Sequence, residues 1–189
     1  SDPGAEFNYS NLTSHLLGII VARATDLDLK SFAEEHLFSP LEVEAGDWIK
    51  DWEGYYNGHA DLHFNARDMA KFGLLYLGDG EYEGRQIIPA EWVRDSLKTY
   101  SEDAWRYKVG RNFRDIGYGY QWWSARAGVH CFNLAWGHGG QQIVLVDELD
   151  LVIVVKADPL FGQHGGGPWK HEKANLNLVG DFIKSLPRE

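Results

Sequence analysis

A single cysteine, Cys131, is all the thiol chemistry in this chain. It excludes an internal disulfide and any cysteine-rich metal site, and its strand-like neighbours His130, Phe132 and Leu134 predict inert burial. Basic runs are missing too. Eighteen Lys and Arg stand against 28 Asp and Glu, a formal net charge of −10, and neither nucleic acid nor an anionic membrane would find its basic patch. No apolar run approaches the length of a membrane-spanning helix. No secretory leader pattern opens at Ser1, and internal repeats and low-complexity tracts are absent. There is no starting methionine. Ser1-Asp2-Pro3-Gly4-Ala5-Glu6-Phe7 is a turn running straight into a helix pattern, from which we expect the chain to be part of a longer one.

What is present suffices for one core. The 189 residues are 44% hydrophobic and 24% charged, ordinary for a folded globular chain, and their 14% aromatic content, with eight Trp, suits a deep core or a binding cleft. Residues 10–24 form a helix, with Leu12, Leu16, Ile19 and Ile20 on helical spacing. Leu17, Val21 and Ala24 widen its apolar face until burial is expected nearly all round. A second helix covers 28–37, with Ser31 and Glu34 at capping-box spacing, and Ser39-Pro40-Leu41 stops it. Residues 42–57 read as an acidic and aromatic surface loop.

His59-Ala60-Asp61-Leu62-His63 comes next. On an extended strand its three polar side chains would share a face, a legitimate start for a zinc set that lacks an announced third or fourth ligand. The blander reading is a strand leading into the helix at 65–77. There Asn65 is the N-cap, Asp68 the third helical residue, and Met69, Phe72, Leu75 and Tyr76 the buried stripe. Gly78-Asp79-Gly80 ends that helix, 81–86 is a tight polar turn, and Pro89 opens a short helix. Residues 101–116 read as a long loop.

A sheet begins at 118–123, where Trp122 and Trp123 place one ring on each face. With 130–136, 141–147 and 151–157 it makes an antiparallel meander. The last two strands read as buried on both faces. Between the second and third lies Gly137-His138-Gly139-Gly140, a bare backbone that signals a bulge, a bend or a close neighbour. A glycine-rich stretch, His164-Gly165-Gly166-Gly167, leads to a helix from Trp169 or His171 to Lys184, packing through Leu176, Val179 and Ile183. The fold class is α+β: a mainly helical region at 1–100, an antiparallel sheet at 117–157 and a C-terminal helix at 169–186.

Two motifs about 130 residues apart say more together than either alone: Tyr9-Ser10-Asn11 at the first helix, and His138-Gly139-Gly140-Gln141 at a strand start. With Pro3-Gly4 before them and Asp68-Met69-Ala70-Lys71-Phe72-Gly73 between, the chain resembles the serine β-lactamases and penicillin-binding-protein-like hydrolases, in the branch of class C β-lactamases and their esterase relatives. The resemblance implies that Tyr9 handles the nucleophile's proton and that Asn11 binds the substrate or a lysine. It puts His138-Gly139-Gly140 in place of the family's Lys-Thr-Gly element, with the Gln141 backbone N–H as an oxyanion donor. His138 is a departure, because it replaces a fixed positive charge by a group with a reference pKa of about 6.5. A small acyl substrate, no cofactor and a periplasmic or secreted location follow from the same likeness.

The family's nucleophile stands in Ser-x-x-Lys, one helical turn apart. None of the nine serines here has a lysine three positions on; Ser96 and Lys98 miss by one. Three readings follow. The chain is the C-terminal portion of one β-lactamase-like domain in a serine hydrolase, inactive alone and needing its missing N-terminal half or a second copy of itself. Or it is a binding or sensor module that keeps the cleft. Or it is a metal-dependent hydrolase built on His59, Asp61 and His63.

Overall fold

The computed structural model describes Asp2 and residues 4–105, 109–160 and 168–187. Ser1, Pro3 and the glycine-rich stretch with His164 lie outside the described residues. The chain forms two compact units, Ser1–Phe72 and Gly73–Glu189.

In the first unit, helix α1 spans Asn11–Thr25, capped by Ser10, whose hydroxyl accepts the Thr13 N–H at 3.3 Å. It ends at Asp26, which adopts the left-handed conformation. The apolar pattern predicts near-complete burial, but Gly18 is the helix's only buried residue, and Leu12, at 67% exposure, Leu16, Leu17 and Ile20 face solvent. The reason lies in Gly18 and Gly58. A Cβ on Gly18 would stand 3.0 Å from the Leu29 side chain, and one on Gly58 would meet the Ser14 carbonyl oxygen at 2.6 Å. The segments around Leu29 and Gly58 therefore nest against the helix's small-residue side and leave the leucines outside.

Helix α2 (Leu29–Ala33) is capped by Asp28, whose carboxylate accepts the Ser31 N–H at 2.9 Å. The cap thus stands three residues before the Ser31 and Glu34 pair read from the sequence. The helix widens into a π-helical turn at Glu34–Phe38, which delivers Phe38 edge-on to Phe64 with ring centres 5.1 Å apart. Residues 42–57 are not a plain loop, since bridges join Lys50 to Tyr56 within them and Trp48 to Leu62 beyond. Helix α3 (Ala66–Leu77) starts as its sequence predicts. Asn65 Oδ1 accepts the N–H groups of Arg67 and Asp68, and its amide returns a bond to the Asp68 carboxylate at 2.6 Å.

The second unit carries a two-stranded hairpin, β1 (Glu81–Tyr82) and β2 (Arg85–Gln86), a short helix α4 (Ala90–Ser96), and a five-stranded antiparallel sheet. Its strands are β3 (Arg114–Gly119), β4 (Trp122–Ala127), β5 (His130–Gly137), β6 (Gln141–Val146) and β7 (Leu151–Val155), adjacent in chain order. Trp123, Leu134, Val144 and Ile153 stand in one row across four of them. The meander thus has one strand more than the sequence disclosed. Residues 118–123 are not one strand but the end of β3, a turn at Tyr120-Gln121 and the start of β4. Trp122 and Trp123 are both buried, Trp122 against Tyr76 and Trp123 against Tyr118.

Helix α5 (Pro168–Ser185) buries Leu176, Val179 and Ile183, the residues its spacing selected. Strand β5 buries His130, Phe132 and Leu134 and turns the intervening residues outward, so Cys131 is exposed rather than buried. Strand β7 is half-buried along its whole length, because no described strand pairs with its outer edge.

Candidate functional site

The β5–β6 connection answers the question left by its glycines. Gly139 and Gly140 have φ of +79° and +91°, a region L side chains seldom enter, and the Gly140 N–H closes the turn on the Gly137 carbonyl at 3.2 Å. Added Cβ atoms would land 2.4 Å from the Pro159 Cα at Gly139 and 2.7 Å from the Asn175 amide nitrogen at Gly140. The bare backbone is a tight turn pressed between the segment after β7 and helix α5.

Side chains fix this turn from several directions. Glu172 of α5 is 4% exposed, and its Oε1 accepts the Trp136 indole N–H while its Oε2 accepts the Gly139 N–H, both at 2.9 Å. Gln141 clamps Ala157 through two bonds, its Oε1 accepting the Ala157 N–H at 3.0 Å and its amide donating to the Ala157 carbonyl. Gln142 is fully buried with its amide 3.5 Å from the Gly140 carbonyl. Its Oε1 and the Asn175 Nδ2 are buried without a partner among the described residues. A ring cluster stands beside the turn, Trp136 being 5.7 Å from Trp105, 5.8 Å from Trp123 and 6.1 Å from Trp169 between ring centres. His138 itself projects outward at 68% exposure.

In the first unit, Tyr9 and Asn11 flank the Ser10 cap where α1 begins. Both are exposed, Tyr9 at 50%. This is where a helix offers unpaired backbone N–H groups and the positive end of its dipole. The structure therefore gathers Tyr9 and Asn11 at one helix start and His138, Gly139, Gly140 and Gln141 into one turn, each set within its own unit.

The strand expected at 59–63 does not form. Asp61 sits at φ +66°, which breaks the alternation that would have aligned His59, Asp61 and His63. Its carboxylate accepts instead from the Asn57 amide at 2.7 Å, and His59 stands edge-on to His15. Among the described residues, no group of three or more His, Cys, Asp or Glu is placed to hold a metal ion. Sequence reading missed the pair His15 and Asp51, joined at 2.9 Å, with the His15 Nδ1 accepting the Gly58 N–H. Burial pushes the Asp51 carboxyl up, but the Tyr55 N–H, His15 and the Glu53 N–H outweigh it and hold the group below the usual carboxylate range. The reading also missed Glu172. Its signal was faint, a lone acid near the start of α5, and only the fold shows which turn it serves.

A beta-lactamase family model matches residues 1–158. The chain is 28% identical over 152 residues to a 6-aminohexanoate-dimer hydrolase of Paenarthrobacter ureafaciens, covering 79% of this chain and 38% of that protein. A solved structure from Bacillus anthracis that carries the same name provisionally superposes with a TM-score of 0.71 and 25% identity, over 100% of this chain and 47% of that one. An octameric penicillin-binding protein homologue from Pyrococcus abyssi has the same fold, with a TM-score of 0.69, 18% identity, and coverage of 95% and 44%. The chain thus spans less than half the length of each of these relatives.

Proposed function

This chain belongs to the beta-lactamase family, and from that membership we propose that it is the C-terminal portion of a serine hydrolase working through an acyl-enzyme on an ester, amide or β-lactam. The observation that carries the reading is the His138-Gly139-Gly140-Gln141 turn, held rigid by Glu172, Gln141 and Pro159 at the start of a central strand. A fixed backbone N–H at that place suits an oxyanion, since a donor that need not reorganise during reaction contributes most. The nucleophile is a serine in a segment preceding this chain. Tyr9, at the positive end of α1, takes that serine's proton; a phenol with a reference pKa of about 10 can do so at neutral pH only where nearby cations lower it. Asn11 binds the substrate's polar group or the nucleophile's lysine, and His138 contacts the substrate from outside the turn. Without its nucleophile, the 189-residue chain alone is inactive. The names of two relatives support taking a small 6-aminohexanoate dimer as one of the first substrates to assay.

In the longer protein, Tyr9→Phe should lower kcat for p-nitrophenyl ester hydrolysis by roughly a hundredfold or more, the range general base catalysis supplies. An unaltered rate would remove Tyr9 from the mechanism.

The missing portion also accounts for exposed apolar surface. Leu12, Leu16, Leu17 and Ile20 on α1 and the outer edge of β7 form surfaces that soluble chains normally cover. The preceding half of the protein, or a second copy of this chain, covers them. In light scattering, residues 1–189 alone should associate, and a monodisperse monomer would count against this. A second reading, a binding or sensor module with a β-lactamase-like cleft, is favoured by one observation: no serine here stands three residues before a lysine.

A further inference from the structure

We infer that Glu172 is a positioning residue for the His138-Gly139-Gly140 turn: from α5 its buried carboxylate grips the end of β5 and the turn itself, and so sets the place of the Gln141 backbone donor that follows. The inference rests on the serine-hydrolase reading and deepens it. Glu172 Oε1 holds the Trp136 indole two residues before His138, and Oε2 holds the Gly139 N–H two residues before Gln141. His138 Nδ1 stands 3.5 Å from the same Oε2. A carboxylate buried this deeply is costly unless its oxygens are satisfied, and here each meets a donor.

The donor pattern explains why the residue is an acid. The indole and the Gly139 N–H can only donate, and a carboxylate is the acceptor-only group that meets both. An amide of the same shape fails. Whichever way the side chain turned in a Glu172→Gln variant, its NH2 would face the indole N–H or the Gly139 N–H, one donor against another. The turn would have to shift to relieve that contact. Gly139 has little room to do so, with Pro159 directly behind it. The displacement passes instead toward Gly140 and Gln141, where the oxyanion donor is.

The test is Glu172→Gln in the full-length protein, assayed on p-nitrophenyl butyrate well below the melting temperature, with the folded fraction measured by circular dichroism. An oxyanion donor acts in the transition state, so kcat and kcat/KM should fall together by roughly ten- to a hundredfold while KM stays nearly constant. A lower melting temperature with unchanged kcat would make Glu172 merely structural and overturn the inference. Should Glu172→Gln not fold, Trp136→Phe removes only the indole donor. It should lower kcat in the same KM-independent way by a few-fold, and a wild-type kcat in that variant would overturn the inference equally. A wild-type protein inert to the ester and to a fluorophosphonate would sink the serine-hydrolase reading and this role with it. An active wild type alongside an equally active Glu172→Gln would sink this role alone.

Discussion

Single residues carry most of the site's definition. Gly139 and Gly140 were legible as a place where backbone must come close to something. What came close was not, because Pro159, Asn175 and Glu172 are about 20 to 35 residues further on. Asp51 is the parallel case in the first unit. Nothing in its sequence neighbourhood marks it, yet its carboxylate gathers the Tyr55 and Glu53 N–H groups and His15. Those partners hold its folded pKa below the ordinary value of about 3.9, so the stability it contributes is fully present above that value. That stability drains away as the pH falls through the group's own lower value. Asp51→Asn should therefore lower Tm at pH 7 and flatten the loss of Tm as the pH falls below about 4. Thermal melts across that range check it, and parallel acid limbs for both proteins would show that Asp51 carries none of the linkage.

At the level of elements, propensity and spacing served well where local chemistry decides and poorly where it is overruled. Asn65 caps α3 and Leu176, Val179 and Ile183 bury α5 because those signals are local and strong. The β3–β4 turn was invisible for an equally definite reason. Its two central residues, Tyr120 and Gln121, have φ of 42° and 69°, the geometry of a two-residue hairpin turn that normally selects Asn-Gly. Tertiary contact compensates, since Tyr120 stacks on Tyr100 with ring centres 5.0 Å apart and leans on Trp92. Burial and the Tyr120 hydroxyl both push the Tyr100 phenol up. Gln121→Val should destabilise the chain by about 1–2 kcal/mol, the cost of a β-branched residue in a left-handed conformation, whereas Gln121→Gly should be neutral or slightly stabilising. Urea melts of the two variants separate these outcomes, and a neutral Gln121→Val would show that the turn relaxes freely. Helix α1 is the opposite failure, where an apolar face correctly read did not imply burial within these residues.

For the molecule as a whole, sequence order reached the fold class. Two motifs separated by a meander pointed to an α+β, β-lactamase-like architecture, and family membership and the superposed structures agree. The fifth strand was not legible because Tyr120-Gln121 is not a usual hairpin-turn pair, and the division into two units was not because it depends on contacts between residues far apart in the chain. An isolated chain is expected from the sequence reading to expose an apolar face and a sheet edge, and the leucines of α1 are exposed while no described strand pairs with the outer edge of β7; what covers them belongs to the proposed reading.

In the proposed reading, a preceding segment supplies the serine which this chain's turn and tyrosine serve. Intact mass spectrometry of the full-length protein after fluorophosphonate treatment, followed by peptide mapping, addresses it directly. One covalent adduct is expected, on a serine N-terminal to Tyr9. No adduct, or an adduct on a residue within these 189, would contradict it.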